Sequence, residues 1–180
     1  MFKYIVAFAS AVTPLTVHLV PHSHCDVGWQ TTIDGYFYQN HKGGTSFTKT
    51  MAGVETILTE VVNALLDEPS RKFIWAEMFY FEKWWSLQSA KKKREVKYLV
   101  TENRQLEFVS GGWSANDEAC PTYQDILMNH QIGQEFITRE YGTQFLPKAA
   151  WYADSFGHSK TNQRLSKEMG MQSTFFGRLD

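Results

Sequence analysis

Two hydrophobic periods take turns along this chain, and their alternation leaves few folds open. Leu15, Val17 and Leu19 alternate with Thr16, His18 and Val20, so residues 15–21 are expected to form a first strand that runs into a polar turn. Beyond Met51, Val54, Ile57, Leu58, Val61, Val62, Leu65 and Leu66 fall three and four apart. That spacing predicts one helical stripe, stopping near Asp67 and before Pro69. A second strand is expected at 73–76, ending in Glu77, followed by a helical crossover over 80–103. A third strand at 106–109 precedes Gly111 and Gly112, and a helix is expected over 123–141. A fourth strand (149–153), a short helix (162–169) closed by Gly170, and a fifth strand (173–176) complete the series.

Strands separated by connections too long for hairpins imply right-handed βαβ units and a parallel sheet. A complete (β/α) barrel usually needs about 250 residues, and this chain has 180. Its last strand also lacks the helix that should cover it. The expectation is therefore an α/β fold, an incomplete parallel (β/α) barrel over residues 15–180, with 1–14 a leader or signal segment. Residues 4–9 supply the apolar run of such a signal, at its short limit, with Ala9, Ser10 and Ala11 behind it.

Composition narrows the partners. A net charge of -1 gives no field for a polyanion, so nucleic acid is not expected, and no apolar stretch is long enough to predict a membrane span. Lys91 to Arg94 belong to a solvated helix face. Aromatic residues make up 15% of the chain, which suits either a packed core or a carbohydrate cleft. The two cysteines, Cys25 and Cys120, match neither a disulfide framework nor a zinc knuckle.

In parallel α/β folds the ligand site lies at the carboxyl ends of the strands. In this sequence those ends carry His22, His24 and Asp26; then Glu77; then Trp113, Asn116, Asp117 and Glu118; then Asp154 and His158; and finally Arg178 and Asp180. Residues two apart in extended backbone share a face, so His24 and Asp26 can offer a nitrogen and an oxygen to one ion, with His22 available as a supporting hydrogen-bond partner. Asp154, preceded by Trp151, Tyr152 and Ala153, adds a carboxylate beside apolar side chains. His158 is expected to be a structural donor rather than a ligand. Nitrogen and oxygen donors without thiolate suit Zn²⁺, and Cys25 should face away from its two neighbours.

Three ordered segments carry a resemblance: Pro21-His22-Ser23-His24-Cys25-Asp26-Val27-Gly28-Trp29, then Gly111-Gly112-Trp113 with Asn116-Asp117-Glu118-Ala119, then Trp151-Tyr152-Ala153-Asp154-Ser155-Phe156-Gly157-His158-Ser159. Together they resemble class II α-mannosidases, glycoside hydrolase family 38, and the lysosomal type more than the Golgi type. The resemblance implies the first part of a seven-stranded α/β barrel. It implies His24, Asp26 and Asp154 as zinc ligands, Asp154 also as nucleophile, Trp29 and Phe156 as walls of the mannose subsite, and Arg178 close to the nucleophile. It further implies mannose-containing oligosaccharides or glycoprotein glycans as partners, retaining hydrolysis, and a lysosomal or secreted location. A further ligand histidine and the acid/base aspartate are expected downstream of Asp180, which predicts little or no turnover from these residues alone. Cys25, where the Golgi type has asparagine, and Ala119-Cys120-Pro121-Thr122-Tyr123 depart from the family pattern. A metal-dependent polysaccharide deacetylase and a non-catalytic glycan-binding remnant remain alternatives.

Overall fold

The computed structural model describes residues 15–39 and 52–178, so the expected leader lies outside the described residues. Its elements run α1 (Ile33–Phe37), α2 (Val54–Asp67), β1 (Phe73–Trp75), α3 (Met78–Ser86), α4 (Ala90–Thr101), β2 (Leu106–Phe108), α5 (Tyr123–Tyr141), a 3-10 turn (Thr143–Phe145), β3 (Ala149–Tyr152), α6 (Lys160–Glu168) and β4 (Ser173–Phe176). β1 pairs with β2 and β3 with β4, both in parallel. The expected α/β class and parallel pairing are thus observed.

Backbone bonds link these pairs into one array. Ile74 N–H donates to the Pro21 carbonyl (3.1 Å) and His22 bridges to Ile74, which places the first segment beside β1. At the other seam Ser110 N–H donates to the Ala149 carbonyl (2.8 Å). The Ser110 hydroxyl accepts from Trp151 N–H (2.8 Å) and donates to the Trp151 carbonyl. Ser110 sits at φ 54, so the chain kinks there and a side chain takes over where a strand ladder would run.

The first expected strand is corrected. Residues 15–20 have no strand pairing, and Leu15, Val17 and Leu19 are exposed. Alternation specifies a strand only where a neighbour is present to fill its ladder, and among the described residues this segment meets one only at the His22 bridge. The helical crossover expected over 80–103 is observed, as two helices, α3 and α4. Ser89 ends the continuity by accepting from Lys92 N–H as the N-cap of α4.

Helix positions follow from their stripes. Val54, Leu58, Val62 and Leu65 bury one face of α2 against α3 and α4. The core is rich in aromatic side chains: Trp75, Trp84, Tyr80, Phe37, Phe81 and Phe136 are fully buried. Phe81 packs against Phe108 at 5.0 Å and Phe136 at 6.0 Å. α5 lies directly on the loop after β2, because a Cβ at Gly133 would stand 2.2 Å from the Gly111 carbonyl oxygen.

Candidate active site

One cleft of about 670 Å³ is lined by His24, Asp26, Trp29, Tyr36, Asp154, Phe156 and Arg178 among others. His24 and Asp26 follow directly on the segment held to β1. The Tyr80 hydroxyl of α3 fixes that loop by donating to the Asp26 carbonyl (2.7 Å). Asp154 follows β3, and Arg178 follows β4.

Within the cleft, one donor atom each from His24, Asp26 and Asp154 lies within 4.8 Å of the others. His24 Nε2 is 3.0 Å from Asp26 Oδ1 and 3.5 Å from Asp154 Oδ2. The other ring nitrogen, Nδ1, faces Glu77 Oε1 at 3.4 Å. Three carboxylates therefore surround one imidazole. Glu77 is the main reason His24 is pushed up to about 9, against the opposing effect of burial, with Asp26 and Asp154 adding to the rise.

One imidazole nitrogen and two carboxylate oxygens converging from separate segments form a donor set that fits a divalent cation with nitrogen and oxygen ligands. Cys25 does not compete. It is buried in the core cluster, and burial, with the Glu77 charge next, pushes its thiol up to about 12, so it supplies no thiolate.

The expected supporting residues divide. Arg178 donates through Nη2 to Asp154 Oδ1 and lies 5.6 Å from the centre of the Phe156 ring. Trp29 and Phe156 are 66% and 53% exposed on the cleft walls. His22, expected to support the ligands, instead packs edge-on against Trp151 at 5.0 Å. The residue behind His24 is Glu77, which the sequence offered only as one polar strand end among several. Tyr36, which also lines the cleft, stands on the five-residue α1, too short to show a period in sequence.

Asp117 and Glu118 are each held by hydrogen bonds. Asp117 accepts from the backbone N–H groups of Ala119 and Cys120 (2.6 and 2.8 Å), which holds its pKa low. Glu118 is buried and accepts from His158 Nδ1 (2.9 Å) and Ser159 N–H (2.8 Å). His158 Nε2 in turn reaches the Arg178 carbonyl at 2.6 Å. Both ring nitrogens face oxygen acceptors. His158 is thus a structural donor, as its sequence context suggested. It ties the loop after β3 to the end of β4.

The parallel α/β scaffold thus gathers an imidazole, two carboxylates and two aromatic walls around one cleft. Residues 14–180 match the N-terminal domain of the glycosyl hydrolases family 38, and the chain belongs to that family. It is 42% identical over 166 residues to lysosomal α-mannosidase of Mus musculus, 43% to that of Homo sapiens and 40% over 168 residues to that of Dictyostelium discoideum. These matches cover 92–93% of the chain but 16% of each relative. The crystal structure of an α-mannosidase from Enterococcus faecalis V583 superposes with a TM-score of 0.67 at 15% identity, over 87% of this chain and 16% of that one, which supports the fold.

Proposed function

We propose that this chain serves the hydrolysis of terminal, non-reducing α-D-mannose residues from oligosaccharides and glycoprotein glycans, with retention at the anomeric carbon. The convergence of His24, Asp26 and Asp154 in a cleft walled by Trp29 and Phe156 carries this reading. His24, Asp26 and Asp154 would hold Zn²⁺, which when bound supplies orientation and Lewis acidity toward the cis 2- and 3-hydroxyls of mannose.

Asp154 is the nucleophile. Arg178 occupies one of its oxygens and neutralises part of its charge, which fixes the plane of the carboxylate. Attack by Asp154 on the anomeric carbon forms a mannosyl-aspartate as the leaving oxygen takes a proton from a second carboxyl group. Water, deprotonated by that same group, then releases mannose with net retention. Retaining chemistry needs the two carboxyl groups about 5–5.5 Å apart. Asp117 and Glu118 are both engaged by backbone or His158 donors, so neither is placed as the acid. By the family resemblance, the acid/base aspartate and a further ligand histidine are assigned to residues other than these 180. The relatives named lysosomal support a lysosomal location. No helix among the described residues is long and apolar enough to cross a membrane.

The test is product analysis. A protein carrying this domain in its longer context should release mannose from a chromogenic α-mannoside, with the α-anomer as first product by NMR. Full turnover from these 180 residues alone, or a β-anomer as first product, would refute the scheme.

A further inference from the structure

We infer that Glu77 is a positioning residue for His24: it holds the imidazole in the orientation and tautomer that turn Nε2 toward Asp26 and Asp154. The inference rests on the metal site proposed above and adds a residue to it.

Glu77 sits where β1 ends and α3 begins, as the N-cap of that helix. A carboxylate at such a position ordinarily accepts from the first-turn N–H groups, yet the Glu77 side chain makes no capping bond. It is only 1% exposed, and its Oε2 has no hydrogen-bond partner among the described residues. Burying a carboxylate without satisfying it is costly, so a capping role does not account for its burial. What its Oε1 faces, at 3.4 Å, is His24 Nδ1.

The two ring nitrogens of His24 are thus divided between two groups of partners. Nδ1 is turned inward to Glu77, and Nε2 is turned to the cleft, 3.0 Å from Asp26 Oδ1 and 3.5 Å from Asp154 Oδ2. A ligating imidazole is neutral and carries its single proton on the nitrogen away from the ion. An acceptor behind that nitrogen selects the tautomer and the ring plane together. Glu77 is placed to be that acceptor, and its backbone is anchored because the Trp75 indole N–H donates to the Glu77 carbonyl at 2.9 Å. β1 is in turn joined to the His24 segment by the His22–Ile74 bridge, so both partners of the pair are set by adjacent backbone segments.

The experiment measures Zn²⁺ and Co²⁺ dissociation constants by chelator competition for the wild type, His24→Ala, Glu77→Ala and Glu77→Gln, with circular dichroism to confirm folding. ¹⁵N NMR of the zinc-loaded wild type and Glu77→Gln adds the tautomer. His24→Ala should abolish binding at this site, and Glu77→Ala should weaken it about 10- to 100-fold. Glu77→Gln, which keeps an oxygen for Nδ1–H, should recover most of that loss and retain a protonated Nδ1. Should Glu77→Ala fail to fold, the wild-type spectrum decides: zinc on Nδ1 rather than Nε2 overturns the inference, and zinc on Nε2 with Nδ1 protonated supports it. Equal affinity in the wild type and folded His24→Ala would defeat the metal site itself. Loss in His24→Ala with no change in folded Glu77→Ala would defeat the role of Glu77 alone.

Discussion

Replacing Glu118 by alanine is expected to destabilise the fold by about 3–6 kcal/mol, the loss of two hydrogen bonds to a buried carboxylate. The figure follows from what the side chain holds. Its Oε1 accepts from His158 Nδ1 at 2.9 Å and its Oε2 from Ser159 N–H at 2.8 Å, both out of contact with water. Hydrogen bonds to a charged group contribute about 1.5–3 kcal/mol each, and deletion leaves His158 Nδ1 and Ser159 N–H without their acceptor. Ser159 is the N-cap of α6, accepting from Asn162 N–H, and Asn162 accepts from Asn116 of the Glu118 loop at 3.2 Å. The damage should therefore spread to the start of that helix. Gly157 marks how closely the two loops approach: at φ +70, a Cβ there would stand 3.0 Å from the Ala119 Cβ. Urea unfolding of the wild type, Glu118→Ala, His158→Ala and the double variant gives the coupling, expected at about 0.5–3 kcal/mol for side chains in direct contact. A Glu118→Ala cost below about 1 kcal/mol, or strictly additive single effects, would refute the strut between the loops.

Asp154→Asn should lower turnover of an α-mannoside by about three orders of magnitude or more in the longer protein while leaving the circular dichroism unchanged; activity near wild type would remove Asp154 as nucleophile. Trp29→Ala, on an exposed wall, should alter stability by no more than about 0.5 kcal/mol yet raise KM about tenfold, the equivalent of about 1.4 kcal/mol of binding, as steady-state kinetics would show. Burial holds the His130 imidazole below its ordinary pKa although its Nδ1–H donates to the Ser110 carbonyl at 3.1 Å. The unfolded chain then binds a proton that the fold resists, so stability is intact above pH about 6.5 and falls as pH drops through the folded pKa. His130→Asn, which keeps the donor but cannot titrate, should flatten that acid limb in urea titrations from pH 7 to 4. Removing bound zinc with a chelator should lower Tm, by an amount that grows with the free zinc concentration used for loading; an unchanged Tm would argue against a bound ion.

Much of this protein is legible in its residues alone. The stripe of Val54, Leu58, Val62 and Leu65 and the capped run from Tyr123 to Tyr141 make helices because their period and capping box leave no better local choice. The clustering of His24, Asp26 and Asp154 at strand ends follows from the topology those helices impose. Segment 15–20 shows where such reasoning stops. Its alternation is as regular as that of any strand, but a strand is completed by its neighbour's backbone, and here the neighbour is met only at His22. The same holds for support within the site. Glu77 and His22 are both polar groups at the end of the array, and nothing local distinguishes them; packing turns His22 against Trp151 and buries Glu77 behind His24. Periodicity and spacing are properties of a chain, whereas which side chain faces which across some 130 positions depends on how the strands are stacked, and only the folded arrangement decides it.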